Sequence, residues 1–248
     1  MTGMPGKLPR EAQADPVIEL RGLHAWYGES HVLHGVDLHV NRAEVVTLLG
    51  RNGAGRTSTL RAMMGLTGTR KGSIRIRGVE TIGLPTRRIA HLGVGYCPEE
   101  RGIFASLSAE ENLLLPPVVS PDGRGMPLER IHALFPNLRG RAAAQGTRLS
   151  GGEQQMLAIA RILRAGADLL LLDEISEGLA PVIVQALART IRALRGQGMT
   201  IVMVEQNFRF AAPISDRFYV MEGGRVVDAF AAHQLQERAP SLSARLGV

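Results

Sequence analysis

The stretch GRNGAGRTS, Gly50 to Ser58, follows the spacing of a phosphate-binding loop, G-x-x-x-x-G-K-[ST]. Gly50, Gly55 and Thr57 stand where that pattern requires them, and Arg56 stands where it has Lys. Such a loop wraps amide N–H groups of Asn52, Gly53, Ala54 and Gly55 around phosphate oxygens. A following helix adds its positive end through Thr57 and Ser58. Thr57 offers a hydroxyl to Mg²⁺. A guanidinium binds phosphate as a planar fork rather than as a point charge, so Arg56 preserves attraction but alters placement.

LLLLDE supplies the second half of a site. Asp173 emerges from an apolar run of strand length, where it can hold Mg²⁺, and Glu174 follows, placed to orient or deprotonate a water. The expectation is that Gly50–Thr57 and Asp173–Glu174 converge from neighbouring strand ends onto one Mg-triphosphate.

These residues need a scaffold. EVVTLLG, DLLLLDE and MTIVMVEQN are continuous apolar runs, the mark of strands buried on both faces. VIELRGLHAWYG, HVLHGVDLHV and GSIRIRG alternate apolar and polar residues, which reads as half-buried antiparallel strands. Helical spacing marks TSTLRAMMGL, LERIHALFPNL, EQQMLAIARILRAG and PVIVQALARTIRALRGQG, the last opened by Pro181. SLSAEENLLL carries a helix start, PPVVSPDGRGMP a surface loop, and RFYVMEGGRVVDAF a hairpin around Gly223–Gly224. Buried strands alternating with helices, plus an antiparallel start, predict an α/β architecture.

Composition narrows the class. The chain has 248 residues, 45% hydrophobic and 21% charged, enough to bury a real core. No apolar run approaches the ~18 residues of a membrane span. Residues 1–15 read as a disordered lead. Cys97 is the only cysteine, so no intramolecular disulfide can form, and a small buried apolar role suits it. The net charge is +6, and Lys7 and Lys71 are the only lysines among 29 basic residues. Those cations are scattered and only 4% of residues are aromatic, which argues against nucleic acid as a partner. The same skew gives Arg56 a bland account, since this chain uses Arg nearly wherever it uses a cation.

LSGGEQQ, Leu149 to Gln155, lies between the phosphate loop and the Asp–Glu strand and opens a helix. With these three motifs in order, residues 17 to 240 resemble the ATP-binding subunits of ABC transporters. EGLAPVIVQ and VEQN look similar to the subunits that import branched-chain amino acids. The resemblance implies a P-loop NTPase core with a parallel sheet, an antiparallel β subdomain and a helical signature subdomain. Residues 16–248 would form a single ATP-binding domain, with the helical part at about 100–165. It implies ATP and Mg²⁺ as cofactors, adenine stacked on Tyr27, Thr57, Glu99 and Asp173 at the metal, and Glu174 and Gln206 in catalysis. Ser150, Gly151, Gly152 and Glu153 would serve in trans the nucleotide of a sister ATP-binding subunit, and Ser176 to Pro181 would touch that partner.

The implied assembly adds two transmembrane permease subunits and an extracytoplasmic substrate-binding protein. The chain would sit peripherally on the cytoplasmic face of the inner or plasma membrane. Its cargo would be a branched-chain or other hydrophobic amino acid, with urea and short amides carried by similar systems. Four departures mark the pattern: Arg56 for Lys, Glu99 for Gln, Ile175 for Pro and Gln206 for His. They leave a regulatory, weakly hydrolysing subunit as the rival reading, and a DNA-repair or translation ATPase as a less favoured one.

Overall fold

The computed structural model describes residues 16–238 and Leu242. The disordered lead expected over 1–15 lies outside them. Two sheets organise the described residues. The smaller is antiparallel, ordered β2-β1-β4-β5, from β1 (Ile18–Tyr27), β2 (Ser30–Val40), β4 (Arg70–Ile76) and β5 (Val79–Glu80). The larger has the order β10-β9-β3-β8-β7-β6. Its members are β3 (Val45–Leu49), β6 (Val94–Cys97), β7 (Leu169–Asp173), β8 (Thr200–Val204), β9 (Arg217–Glu222) and β10 (Arg225–Ala231). All its neighbours run parallel except the β9–β10 hairpin.

The continuous apolar runs are explained by burial on both faces. Alternate residues of one strand point to opposite sides of the sheet. Leu169 and Leu171 of β7, with Val202 and Val204 of β8, face the antiparallel sheet and helix α1 (Arg56–Met63). Leu170, Leu172, Ile201 and Met203 face the opposite layer, built by α6 (Gly151–Arg164) and α7 (Pro181–Gly196). A polar residue on either parity would be buried, so none appears before Asp173.

Between β6 and α6 lie α3 (Ala109–Leu114), α4 (Leu128–Leu134) and α5 (Pro136–Arg139); α2 (Thr86–Ala90) precedes β6, and α8 (Phe208–Ala211) follows β8. The helix expected over LERIHALFPNL is two helices, because Pro136 carries no N–H to continue the first and instead opens the second. The helix start in SLSAEENLLL is a capping box: Glu111 N–H donates to Ser108 Oγ, and the Glu111 carboxylate accepts from Ser108 N–H. Sequence patterning had passed over β6, a four-residue edge strand.

One expectation is corrected. β3 and β7 are not neighbours, since β8 runs between them. The phosphate-loop strand and the Asp–Glu strand thus approach one site across an intervening strand.

Candidate functional site

The loop after β3 and the ends of β7 and β8 open on a cavity of about 570 Å³. Gly53 and Gly55 adopt φ of 79° and 99°, conformations that suit glycine. Gly50 lies beneath, where a Cβ would come within 2.5 Å of the Met221 carbonyl. Gly55 caps α1 without a side chain, and the first helical turn has no acidic residue. The amides at that end are therefore left for an anion.

Arg56 is almost fully buried. Its Nη2 donates to Glu174 Oε1 at 2.8 Å and to Asn52 Oδ1 at 3.3 Å. The Gln206 amide donates to the same Asn52 oxygen, and to both Glu174 oxygens at 3.3 Å. Two donors and two acceptors thus close a ring at the mouth of the loop. Burial pulls the guanidinium's pKa down, and the carboxylates of Glu174, Asp173, Glu205 and Glu177 oppose that pull. Arg56 Nη1 is buried with no protein partner. An orphaned guanidinium N–H beside free helix amides is what a phosphate oxygen would satisfy.

Asp173 lies behind Thr57, accepting from Thr57 Oγ1 at 2.9 Å and from the Tyr96 hydroxyl at 3.0 Å. Burial pushes its carboxyl up, and these two hydrogen bonds pull it back. Glu174 leaves β7 at φ 47°, left-handed for a non-glycine residue, while its N–H donates to Val204 O at 2.9 Å. Glu99, Glu174 and Glu177 bring carboxylate oxygens within 4.8 Å of one another. A hydrogen bond to Glu174 is the main cause raising the Glu177 carboxyl above its ordinary range. The hard oxygens of Thr57, Asp173 and Glu99 suit Mg²⁺.

Of the residues singled out from sequence, Asn52, Gly53, Ala54, Gly55, Arg56, Thr57, Ser58, Glu99, Glu174 and Gln206 line this cavity, and Asp173 and Gly50 support it from behind. Tyr27 is exposed at the end of β1 and is not among the lining residues. The lining there comes from His31 and His34, and Trp26 stacks on His31 with centroids 4.1 Å apart. Ser150, Gly151, Gly152 and Glu153 do not line it either. They form the start of α6, where Glu153 N–H donates to Ser150 Oγ and the Glu153 carboxylate accepts from Ser150 N–H. Gly152 is small because a Cβ would meet Ile183 of α7 at 2.8 Å.

Sequence reasoning missed Tyr96, Glu177, His31 and His34. Only Tyr96 left a signal, an aromatic in the short apolar run before Pro98. Cys97 is buried, and burial pushes its thiol up to about 12.

A glycine loop ending in a helix, with a strand-end Asp and Glu facing it across the cavity, defines the nucleotide-binding cassette of a P-loop ATPase. The ABC transporter family matches residues 33–177, more than half of the chain, and the protein belongs to that family. The chain is 42% identical over 203 residues to the high-affinity branched-chain amino acid transport ATP-binding protein BraG of Pseudomonas aeruginosa, spanning 82% of this chain and 87% of that one. It is 35% identical to the probable branched-chain amino acid transport ATP-binding protein LivF of Archaeoglobus fulgidus, spanning 87% and 92%. It is 33% identical to the lipopolysaccharide export system ATP-binding protein LptB of Acidithiobacillus ferridurans, spanning 86% and 89%. A nucleotide-free ATP-binding cassette from an ABC transporter superposes with a TM-score of 0.80 at 18% identity, covering 94% of this chain and 99% of that one. Membership implies ATP hydrolysis in the service of transport. No helix among the described residues is long and apolar enough to cross a membrane.

Proposed function

We propose that this chain is the ATP-hydrolysing subunit of a membrane importer for branched-chain or other hydrophobic amino acids. The observation that carries the ATPase part is the meeting of Arg56, Thr57, Asp173, Glu174 and Gln206 about one cavity. The cargo rests on likeness to BraG and LivF, and LptB shows that relatives of similar identity serve other cargo.

MgATP, when bound, supplies the γ-phosphoryl group and the cation that neutralises its charge. Thr57 Oγ1 and Asp173 would hold that cation, with Glu99 beside them. The loop amides and Arg56 Nη1 would donate to phosphate oxygens. Glu174 would accept the proton of the attacking water, and the Gln206 amide would orient that water while donating to Glu174. Arg56 occupies Glu174 Oε1 at 2.8 Å, so Oε2 is the oxygen that would face the water.

Tyr27 would stack on adenine. Ser150, Gly151, Gly152 and Glu153 would close on the nucleotide of a sister ATP-binding subunit. The folded residues would form one ATP-binding domain whose helical part carries the signature, docked on two permease subunits at the cytoplasmic face of the membrane. An extracytoplasmic binding protein would deliver cargo.

The Arg56–Glu174 pair also favours a second reading, a subunit that captures ATP but turns it over slowly. MgATP turnover of the assembled transporter with Glu174→Gln and with Arg56→Lys separates the two. Loss of turnover in Glu174→Gln supports the active subunit. An unchanged rate in Glu174→Gln, or a large gain in Arg56→Lys, favours the slow one.

A further inference from the structure

Glu205 directly follows β8, one residue before Gln206, is 2% exposed, and takes no part in the steps above. Ser176 reaches both of its oxygens, and the Asn207 backbone bonds the carboxylate as well. Ser176 N–H donates to Oε1 at 3.1 Å, and Ser176 Oγ–H donates to Oε2 at 2.8 Å. Ser176 lies two residues after Glu174 and opens the loop that reaches Pro181 and α7.

The strand ladder between β7 and β8 ends just before this point. Its last rungs pair Asp173 with Val204 and carry the Glu174 N–H to Val204 O at 2.9 Å. The two-pronged contact between Glu205 and Ser176 carries the pairing beyond the sheet, using a side chain where the backbone ladder stops. A buried carboxylate is costly unless its lone pairs are satisfied, and an apolar residue would fill the space at less cost. Its presence therefore calls for a geometric role.

We propose that Glu205 is a positioning residue. Its bracket on Ser176 locks the loop after β7 to the end of β8, so that Glu174 and Gln206 stay in one frame while the loop beyond Ser176 responds to a partner. This rests on the ATPase reading above. Burial pushes the Glu205 carboxyl up to about 7, against the opposing bonds from Ser176. The bracket survives that proton, because the serine hydroxyl can turn from donor to acceptor. A glutamine should preserve it in the same way, with its amide donating to Ser176 Oγ.

The test is MgATP turnover, KM and nucleotide affinity of the full chain assembled with its permease, with melting temperatures alongside. Glu205→Leu should lower kcat about tenfold while KM and nucleotide affinity stay within about twofold. Glu205→Gln should remain within about twofold of the parent on all three. Ser176→Ala removes the hydroxyl prong and keeps the N–H one, so it should lower kcat in the same direction but less than Glu205→Leu. Combining the two should add little beyond Glu205→Leu, as for two sides of one contact. If Glu205→Leu does not fold, Ser176→Ala beside Glu205→Gln carries the same comparison. Parental kcat in Glu205→Leu or in Ser176→Ala, equal damage by Gln and Leu, or additive losses would overturn the proposal. Glu174→Gln is the control. If it still turns over, the ATPase reading falls, whereas a dead Glu174→Gln beside unimpaired Glu205→Leu and Ser176→Ala sinks only the latch.

Discussion

Replacing Glu174 tests catalysis and the buried ion pair together, because the two effects have different sizes in different variants. Glu174 meets Arg56 at 2.8 Å, with the side chains 10% and 4% exposed. Glu174→Gln keeps an oxygen for Arg56 Nη2 but turns a charge-assisted bond into one with a neutral acceptor, a difference of about 1 kcal/mol. Part of that is returned, because the charge of Glu174 also opposes those of Asp173, Glu177 and Glu205. Glu174→Ala instead leaves Arg56 Nη2 with only the 3.3 Å contact to Asn52. Orphaning a buried charge costs ~3–5 kcal/mol, and the three remaining carboxylates hold this case to about 3 kcal/mol. At ~2–4 °C per kcal/mol for a chain of this size, Gln should move the melting temperature by at most about 4 °C. Ala should lower it by roughly 6–12 °C. Turnover should fall by at least ~10² in both, the usual effect of losing a positioned base. Thermal melts and a steady-state phosphate-release assay measure the two quantities. Parental turnover in Glu174→Gln, or equal stability of the Gln and Ala variants, would refute the reasoning.

Because the folded Glu205 carboxyl lies near 7, above its ordinary 4.5, the folded chain binds a proton that the unfolded chain releases. Its share of stability is complete below about pH 4.5 and is lost as pH rises through about 7, by up to about 3 kcal/mol. Urea midpoints across that range should show the decline in the parent and a flatter profile in Glu205→Gln. Gly50→Ala puts a methyl within 2.5 Å of the Met221 carbonyl, so β9 must shift. The cost should be about 1–3 kcal/mol in denaturant, with weakened nucleotide binding by calorimetry. Cys97, buried with its thiol raised to about 12, should resist a disulfide reagent at neutral pH in the native chain and react once urea unfolds it.

Much of the scaffold was legible in linear order. Gly50 to Thr57 and Asp173–Glu174 announced themselves by residue type, and the strands VVTLL, LLLLD and TIVMV by runs that are apolar apart from Thr47 and Thr200 before the strand end. Local chemistry suffices there: a loop needs glycine where φ is positive, and a strand covered on both faces needs apolar residues on both parities. Capping boxes and the Gly223–Gly224 turn are encoded within a few residues, so they too could be read directly. Pairing between distant segments was beyond that reach. No pattern in β3 or β7 states that β8 will stand between them, because parallel strands acquire neighbours through crossovers whose packing involves the whole chain. The contacts that shape the chemistry are equally remote: Arg56 finds Glu174 across 118 positions, Tyr96 finds Asp173 across 77, and Glu205 finds Ser176 across 29. Residue type can establish that a buried charge needs a partner, but only the folded chain selects which one, since that choice depends on which strand ends the sheet brings side by side.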